Sequence, residues 1–107
     1  MTGAVITQTE RRYAADASAA RQTPEVRATL ANGRARLSAG PFNWEADLSA
    51  PLGGGNLAPS PTAYLLGALA GCAVAFLHDT VAPQLGMTID DVTAIARCRT
   101  DARGLLG

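Results

Sequence analysis

The chain has 107 residues, of which 48% are hydrophobic and 17% charged, a composition typical of one soluble globular domain and not of a disordered segment. Nine basic and nine acidic residues give a formal net charge of +0. This balance argues against a nucleic-acid binder that neutralises phosphates and against a polybasic membrane anchor. Two cysteines, Cys72 and Cys98, are too few for a disulfide scaffold and indicate a reducing compartment.

The first ten residues contain no charged region followed by an apolar core, so they predict no signal peptide. The longest apolar run, Tyr64 to Leu77, has 14 residues, whereas a helix that crosses a bilayer needs roughly 20. We therefore expect a cytoplasmic protein with no membrane segment, in which this run forms a buried core helix.

The N-terminal part of the chain predicts a helix. Thr7 and Glu10 have the spacing of a capping box, and Ala, Arg and Gln fill the turns that follow, to about Ala20. Thr23-Pro24 then ends the pattern. Residues 1–24 are accordingly predicted to be a helical segment that precedes the main part of the domain.

Residues 25–48 predict three short strands. Two alternating runs flank Asn32-Gly33, the dipeptide that most strongly favours a two-residue hairpin turn. A third alternating run predicts a half-buried strand. The predicted strands cover residues 25–31, 34–39 and 42–48.

A stretch rich in glycine and proline, Ser49 to Pro61, separates these strands from the next helix. Its three consecutive glycines are compatible with a phosphate loop, but no Gly-Lys-Ser/Thr follows them and no strand runs directly through them into a helix. The stretch therefore predicts a flexible connection from sheet to helix.

The following helix is the best-marked element of the sequence. Ser60 suits the N-cap, and Pro61 suits the first turn, where its missing N–H is not needed. One side is large and apolar while the other consists of Gly and Ala, so we expect the helix to be buried all round and closely approached by another backbone. Pro83 and Gly86 are expected to end it. The large apolar face carries Leu65, Leu69, Cys72 and Phe76.

Alternation from Asp90 to Cys98 predicts one more strand, on which we interpret Cys98 as a packing residue. With a single His in the sequence, the two cysteines do not make a zinc site, and no metal is expected. His78 lies six residues after Cys72 and does not share its helix face, which argues against a Cys–His nucleophilic pair.

Cys72 is the candidate for chemistry. Its simplest interpretation is a small hydrophobic residue in a helix core, where free cysteines commonly lie. The alternative is a reactive thiol, which must form the thiolate, whereas apolar burial raises the pKa of a thiol. Because Cys72 lies about three turns into the helix, the helix dipole helps little. A reactive Cys72 therefore requires a cation from elsewhere in the structure.

Residues 47–72, DLSAPLGGGNLAPSPTAYLLGALAGC, resemble the OsmC/Ohr family of osmotically inducible protein C and the organic hydroperoxide resistance proteins. The shared pattern is a Gly-Gly loop, a Pro-Ser-Pro and a Leu/Ala-rich helix ending in Ala-Gly-Cys, and residues 101–107 resemble the family's Asp-x-Arg-Gly-x-x-Gly. The resemblance implies an α+β fold in which a curved antiparallel sheet packs on a long central helix. It also implies one OsmC-like domain over residues 1–107, without the C-terminal part of the fold, and an intertwined obligate homodimer.

Active members of this family are thiol peroxidases that reduce organic hydroperoxides with an external dithiol and no bound cofactor. Cys72 matches the peroxidatic position. Arg34 falls where the Ohr branch carries its activating arginine, although Arg27 or Arg36 could take that place. Leu69 and Phe76, on the helix face of Cys72, are the expected contacts for an apolar peroxide.

Two departures from the family pattern keep alternatives open. Ohr members have an Arg-orienting Glu where this chain has Thr62, and the sequence stops before the region of the family's resolving cysteine, to which Cys98 does not correspond. The first alternative is a redox-silent OsmC-like dimeric module that binds an apolar ligand or serves as a structural unit. The second is a structural fragment that folds only with a complementary segment.

Overall fold

A computed structural model describes residues 3–107 as an α+β structure, the class that was expected. A helix and a short 3₁₀ turn precede three strands, and the strands precede a long helix and a short terminal helix. The elements are α1 (Gly3–Ala15), β1 (Arg27–Ala31), β2 (Arg34–Ala39), β3 (Phe42–Ala46), α2 (Pro61–Phe76), α3 (Ala82–Gln84) and α4 (Arg103–Leu106), with 3₁₀ turns at Ala17–Ala20 and Ala50–Leu52.

Helix α1 begins and ends earlier than predicted. Thr7 lies inside the helix, where its Oγ1 donates to the carbonyl of Gly3 at 3.0 Å, so the predicted Thr7–Glu10 capping box is wrong. The helix ends at Ala15 because Asp16 caps the 3₁₀ turn that follows, its carboxylate accepting the backbone N–H of Ser18 at 3.0 Å.

The three strands form one antiparallel sheet in the order β1-β2-β3. Asn32 and Gly33 both have positive φ, at 54° and 75°, as a type I′ hairpin turn requires. The predicted hairpin is therefore confirmed, and the observed strands lie within the predicted ranges.

Strand alternation gives this sheet two chemically different faces. The apolar face carries Leu30 and Ala28 from β1, Leu37 from β2, and Trp44 and Ala46 from β3. The polar face carries Arg27, Thr29, Arg34, Arg36, Ser38, Asn43 and Glu45.

The glycine loop, residues 47–59, is tied back on itself and is not the free connection that was expected. The carboxylate of Asp47 accepts the backbone N–H groups of Leu48, Gly55 and Leu57 at 2.9, 3.1 and 3.2 Å. The Asp47 N–H donates to the carbonyl of Pro59 at 3.1 Å, which closes the loop at its base. The backbone also passes so close to itself that a Cβ at Gly54 would lie 2.0 Å from the carbonyl oxygen of Leu48.

Helix α2 begins where predicted, since the Oγ of Ser60 accepts the N–H of Ala63 at 3.1 Å and Pro61 lies in the first turn. The expectation that Pro83 ends the helix is wrong. One π-helical turn, Leu77–Val81, widens the helix ahead of Pro83, and α3 follows. We attribute this turn to the proline ring, which would otherwise collide with the carbonyl of the residue four positions earlier. The helix ends before Gly86, whose φ is 65°.

The apolar helix that results is longer than its apolar run suggests. Pro61–Gln84 is continuous over 24 residues, and among the described residues it alone is long and apolar enough to cross a membrane. Only 6% of its most apolar 18-residue window is buried within the chain.

The single chain buries very little. Within residues 3–107 only Ala46 and Ala82 are buried, each with 3% of its surface exposed, and the expected burial of α2 is absent. The exposed area is 8635 Å², against about 5,600 Å² for a compact monomer of this mass. The radius of gyration is 18.6 Å, against about 13 Å for a compact domain of this length.

The predicted strand from Asp90 to Cys98 is also absent from the single chain. No backbone hydrogen bond of the described chain involves residues 88–100, so this alternating segment has no strand partner. The prediction of a strand here is wrong because alternation alone does not form a strand: the backbone groups need a neighbouring strand to pair with.

Candidate functional site

Cys72 lies in the third turn of α2 as a free, exposed thiol. The side chains expected to share its face are exposed as well: Leu69 at 62% and Phe76 at 55%. Neither of the two cavities at the sheet is lined by Leu69, Cys72 or Phe76. Among residues 3–107, the helix therefore presents a largely exposed apolar surface around the thiol.

Arg34, the predicted partner of Cys72, lies on β2 and pairs with a carboxylate instead. Its Nε donates a hydrogen bond to Oε2 of Glu45 on β3, and its side chain is 24% exposed. This bond and the charge of Glu45 raise the pKa of Arg34. In return, the hydrogen bond and charge of Arg34 lower the pKa of Glu45, with a further contribution from Arg36 and an opposing one from Asp47.

The single chain does not bring Cys72 to any of the three candidate arginines. Arg27, Arg34 and Arg36 all lie on the polar face of the sheet. Helix α2 meets the sheet at Trp44, on the other face, where that side chain lines a shallow cavity with residues of the first two helical turns. Cys72 lies eight residues beyond Tyr64, which is about 12 Å further along the helix axis.

Tyr64 fixes the start of α2 against the sheet edge. Its Oη donates to the backbone carbonyl of Glu45 at 2.5 Å. This contact was not predicted, and neither was the pairing of Glu45 with Arg34. The hairpin register could have indicated the latter, because Glu45 lies opposite Arg36 and hence diagonal to Arg34.

A cavity of about 400 Å³, which sequence reasoning did not predict, lies between the hairpin, the glycine loop and the start of α2. Its walls are mostly apolar, and the charged residues among those that line it are Arg34 and Asp47. Gly53 and Gly54 of the glycine loop line this space together with Gly33 of the hairpin turn. The apolar walls include Leu30, Ala46, Leu48, Leu52 and Pro61.

His78 lies outside these features. Its Nδ1 is 2.6 Å from Oδ1 of Asp79, within the π turn. Among residues 3–107, no group of three or more His, Cys, Asp or Glu side chains is arranged to hold a metal ion.

Comparison of the chain with models of protein families, with characterised proteins and with solved structures finds no match. The resemblance to the OsmC/Ohr family therefore depends only on the sequence motifs at residues 47–72 and 101–107, and it stays a prediction.

Proposed function

We propose that this chain is an OsmC-like thiol peroxidase of the cytoplasm that reduces organic hydroperoxides through Cys72, acting as a homodimer with an external dithiol and no bound cofactor. The observation that carries the proposal is the sequence from Asp47 to Cys72 together with its local structure. An Asp-anchored glycine loop leads into a Ser-Pro-capped apolar helix, and the free thiol lies on its third turn.

The chemistry is a two-electron transfer. The Cys72 thiolate attacks the distal oxygen of R–O–OH, forming an S–O bond and breaking the O–O bond. The alkoxide takes up a proton and leaves as the alcohol, while Cys72 becomes a sulfenic acid. A dithiol then reduces the sulfenic acid, yielding the thiol, a disulfide of the reductant and water.

A cation must stabilise the thiolate, and we propose that Arg34 of a second copy of the chain supplies it. In one chain, Arg34 lines the cavity at the start of α2, whereas Cys72 lies about 12 Å beyond Tyr64 along the helix axis. A guanidinium beside the thiol would lower its pKa and stabilise the negative charge that develops on the leaving oxygen.

The exposed area supports a second copy as the partner. Two chains together expose roughly 6,000 Å² more than two compact monomers would, which is enough for an obligate interface that buries about 2,000–5,000 Å² or more in total. A two-fold dimer would cover α2 and the apolar face of the sheet with identical surfaces, so that each copy supplies what the other lacks.

The linker after α3 is too short to return Asp90 to the point where α2 meets the sheet. Gln84 lies about 30 Å along the helix axis from Tyr64, which contacts the sheet. Residues 85–89, fully extended, span at most about 17 Å and cannot return Asp90 to the sheet edge at Glu45.

The substrate would be an apolar hydroperoxide. An alkyl group gains free energy when it leaves water for an apolar wall, whereas a polar peroxide does not. Leu69 and Phe76 beside Cys72 are the proposed contacts, and the cavity lined by Leu30 and Leu52 offers further apolar surface.

The proposal is tested by adding cumene hydroperoxide and dimedone to the full chain and locating the adduct by mass spectrometry. The expected result is a dimedone adduct at Cys72, present in Cys98→Ser and lost in Cys72→Ser. A modification at Cys98 alone, or none at either cysteine, would contradict a peroxidase.

A redox-silent module that binds an apolar ligand is the second candidate. The observations that favour it are the cavity of about 400 Å³ and the engagement of Arg34 by Glu45. A thiol pKa of Cys72 near the free value of about 8.5, measured on the dimer, would support this candidate over the peroxidase.

A further inference from the structure

The ion pair between Arg34 and Glu45 joins β2 to β3 diagonally across the polar face. Arg36 lies directly opposite Glu45 in the register, yet the carboxylate accepts its hydrogen bond from Arg34. The Arg34 side chain is 24% exposed and that of Glu45 46%, so the arginine is the more shielded partner. The pairing is thus selective between two arginines on the same strand.

This pair uses only one of the five N–H donors of Arg34. The bond runs from Nε, and among residues 3–107 the two terminal nitrogens have no hydrogen-bond partner. In the pair of Arg103 with Asp101, by contrast, Nε and Nη2 both bond the carboxylate. A guanidinium held through Nε keeps both terminal nitrogens available for a second anionic group.

Glu45 is fixed through its backbone as well. Its carbonyl accepts the hydrogen bond from Oη of Tyr64, a residue in the first turn of α2, and α2 also carries Cys72. Glu45 therefore contacts Arg34 through its side chain and the cysteine-bearing helix through its main chain.

Resting on the proposed function, we propose that Glu45 is the positioning residue of the peroxidase site: it holds the guanidinium of Arg34 through Nε and leaves both terminal nitrogens to contact the Cys72 thiolate of the second copy and the peroxide. Thr62, at the position where the family that the chain resembles has a glutamate, has no carboxylate to orient an arginine. Glu45 would perform that task from strand β3.

Removing only the charge of Glu45 should therefore have two effects of opposite sign. Glu45→Gln keeps an oxygen that can accept from Nε but no longer offsets the charge of Arg34, so the thiolate of Cys72 becomes more stable. The guanidinium is also held less firmly, which slows peroxide reduction. A merely structural defect would not speed one reaction of Cys72 while slowing another.

The experiment uses the full chain with Cys98→Ser, so that Cys72 is the only thiol. It compares Glu45→Gln with Glu25→Gln, a control because Glu25 lies 3.9 Å from Arg27 with both side chains about three-quarters exposed. The readouts are hydrogen exchange of Arg34 Hε by NMR, the pH profile of alkylation by iodoacetamide, and kcat/KM for cumene hydroperoxide.

For Glu45→Gln we expect Hε exchange to be about tenfold faster. The alkylation midpoint should move to lower pH, and kcat/KM should fall about tenfold. Glu25→Gln should change none of the three. Hε exchange and an alkylation profile both unchanged in Glu45→Gln would overturn the assignment, whatever the peroxide rate.

If the wild-type chain consumes no hydroperoxide, the peroxidase proposal is refuted. If Glu45→Gln nevertheless changes Hε exchange and the alkylation profile, Glu45 is still the residue that positions Arg34. If Glu45→Gln fails to fold by circular dichroism, Arg34→Lys provides the test, since lysine keeps the charge but has no Nε–H of a guanidinium. In Arg34→Lys the alkylation midpoint should stay the same and kcat/KM should fall about tenfold. An unchanged kcat/KM would overturn the assignment.

Discussion

Two regions of the molecule are stabilised in different ways: the sheet together with its glycine loop, and helix α2. The sheet and loop are held by hydrogen bonds within the chain: two ladders, and an Asp47 carboxylate that accepts three backbone N–H groups. Helix α2 has its own backbone bonds and one tyrosine contact to the sheet, and it has no buried residue. Within one chain the backbone groups of the sheet and loop are paired, whereas the side chains of α2 and of the apolar face of the sheet, such as Leu30 at 80%, stay exposed.

This difference is the reason that we propose a partner for the chain. In a hairpin, hydrogen bonds between neighbouring strands pair the backbone N–H and C=O groups. An apolar helix in water, by contrast, gains stability mainly by burying its side chains. Cys72 lies on α2, and Arg34 lies on the sheet. A second copy would therefore finish the core and the reactive site together.

The largest effect is expected from a charge on the apolar face of α2. Leu69→Glu should weaken self-association at least 100-fold, because dimerisation would bury an unpaired carboxylate. Analytical ultracentrifugation measures this, with Leu105→Glu as a control, since Leu105 is 73% exposed and lies outside α2. Equal dimer stability in both variants would refute α2 as the interface. If the wild-type chain binds neutral lipid vesicles and does not dimerise, α2 is a membrane helix.

A smaller effect, on the free energy of unfolding, is expected from a substitution in the glycine loop. Gly54→Ala places a Cβ against the carbonyl of Leu48 and should destabilise the fold by about 2 kcal/mol, measured by urea unfolding. Gly104→Ala is the control, because a Cβ there meets nothing within 4 Å. An unchanged midpoint for Gly54→Ala would mean that the glycine loop does not depend on this close approach.

Gly71→Ala should act with opposite signs on the single chain and on the dimer. A Cβ at Gly71 meets no atom within 4 Å in one chain, so the helix should gain about 1 kcal/mol from the better helix former. If a second copy packs closely on this side, association should weaken although helix content by circular dichroism rises. Stronger association together with higher helix content would show that nothing approaches this side of α2.

The smallest effect is a pH dependence of stability from Glu45. Its pKa in the folded chain is lowered by the hydrogen bond and charge of Arg34, so its stabilisation is present above the ordinary value of 4.5 and is lost as pH falls through the lower folded pKa. Glu45→Gln should flatten the unfolding free energy over this acidic range. Asp101→Asn should change it less, because Arg103 is two residues away and can pair with Asp101 in the unfolded chain too. Equal flattening in both would contradict this account.

The elements that could be predicted from the sequence are those specified by neighbouring residues. Asn32-Gly33 determined the turn and hence the register, and Ser60-Pro61 marked the start of α2 correctly. Thr7 was misleading because a threonine hydroxyl can also bond back to the preceding helical turn. The π turn could not be predicted because Pro83 distorts the helix and does not end it.

The elements that could not be predicted depend on residues distant in sequence or on another chain. Asp90 to Cys98 has the alternation of a strand but no partner in one chain, and the burial of α2 needs a surface that the chain itself does not supply. The candidate site shows the same division. Cys72 and Arg34 were recognised as candidates by motif, whereas Glu45 follows only from the pairing of β2 with β3.

Mixing two inactive variants tests most directly the claim that Cys72 reduces hydroperoxides with Arg34 of a second copy. Arg34→Ala and Cys72→Ser chains would be unfolded together, refolded as a one-to-one mixture and assayed with cumene hydroperoxide and a dithiol. Half of the dimers would be mixed and each would hold one intact site, so about a quarter of wild-type activity should return. No activity in the mixture, although each variant dimerises and the wild type is active, would contradict a site shared between two chains.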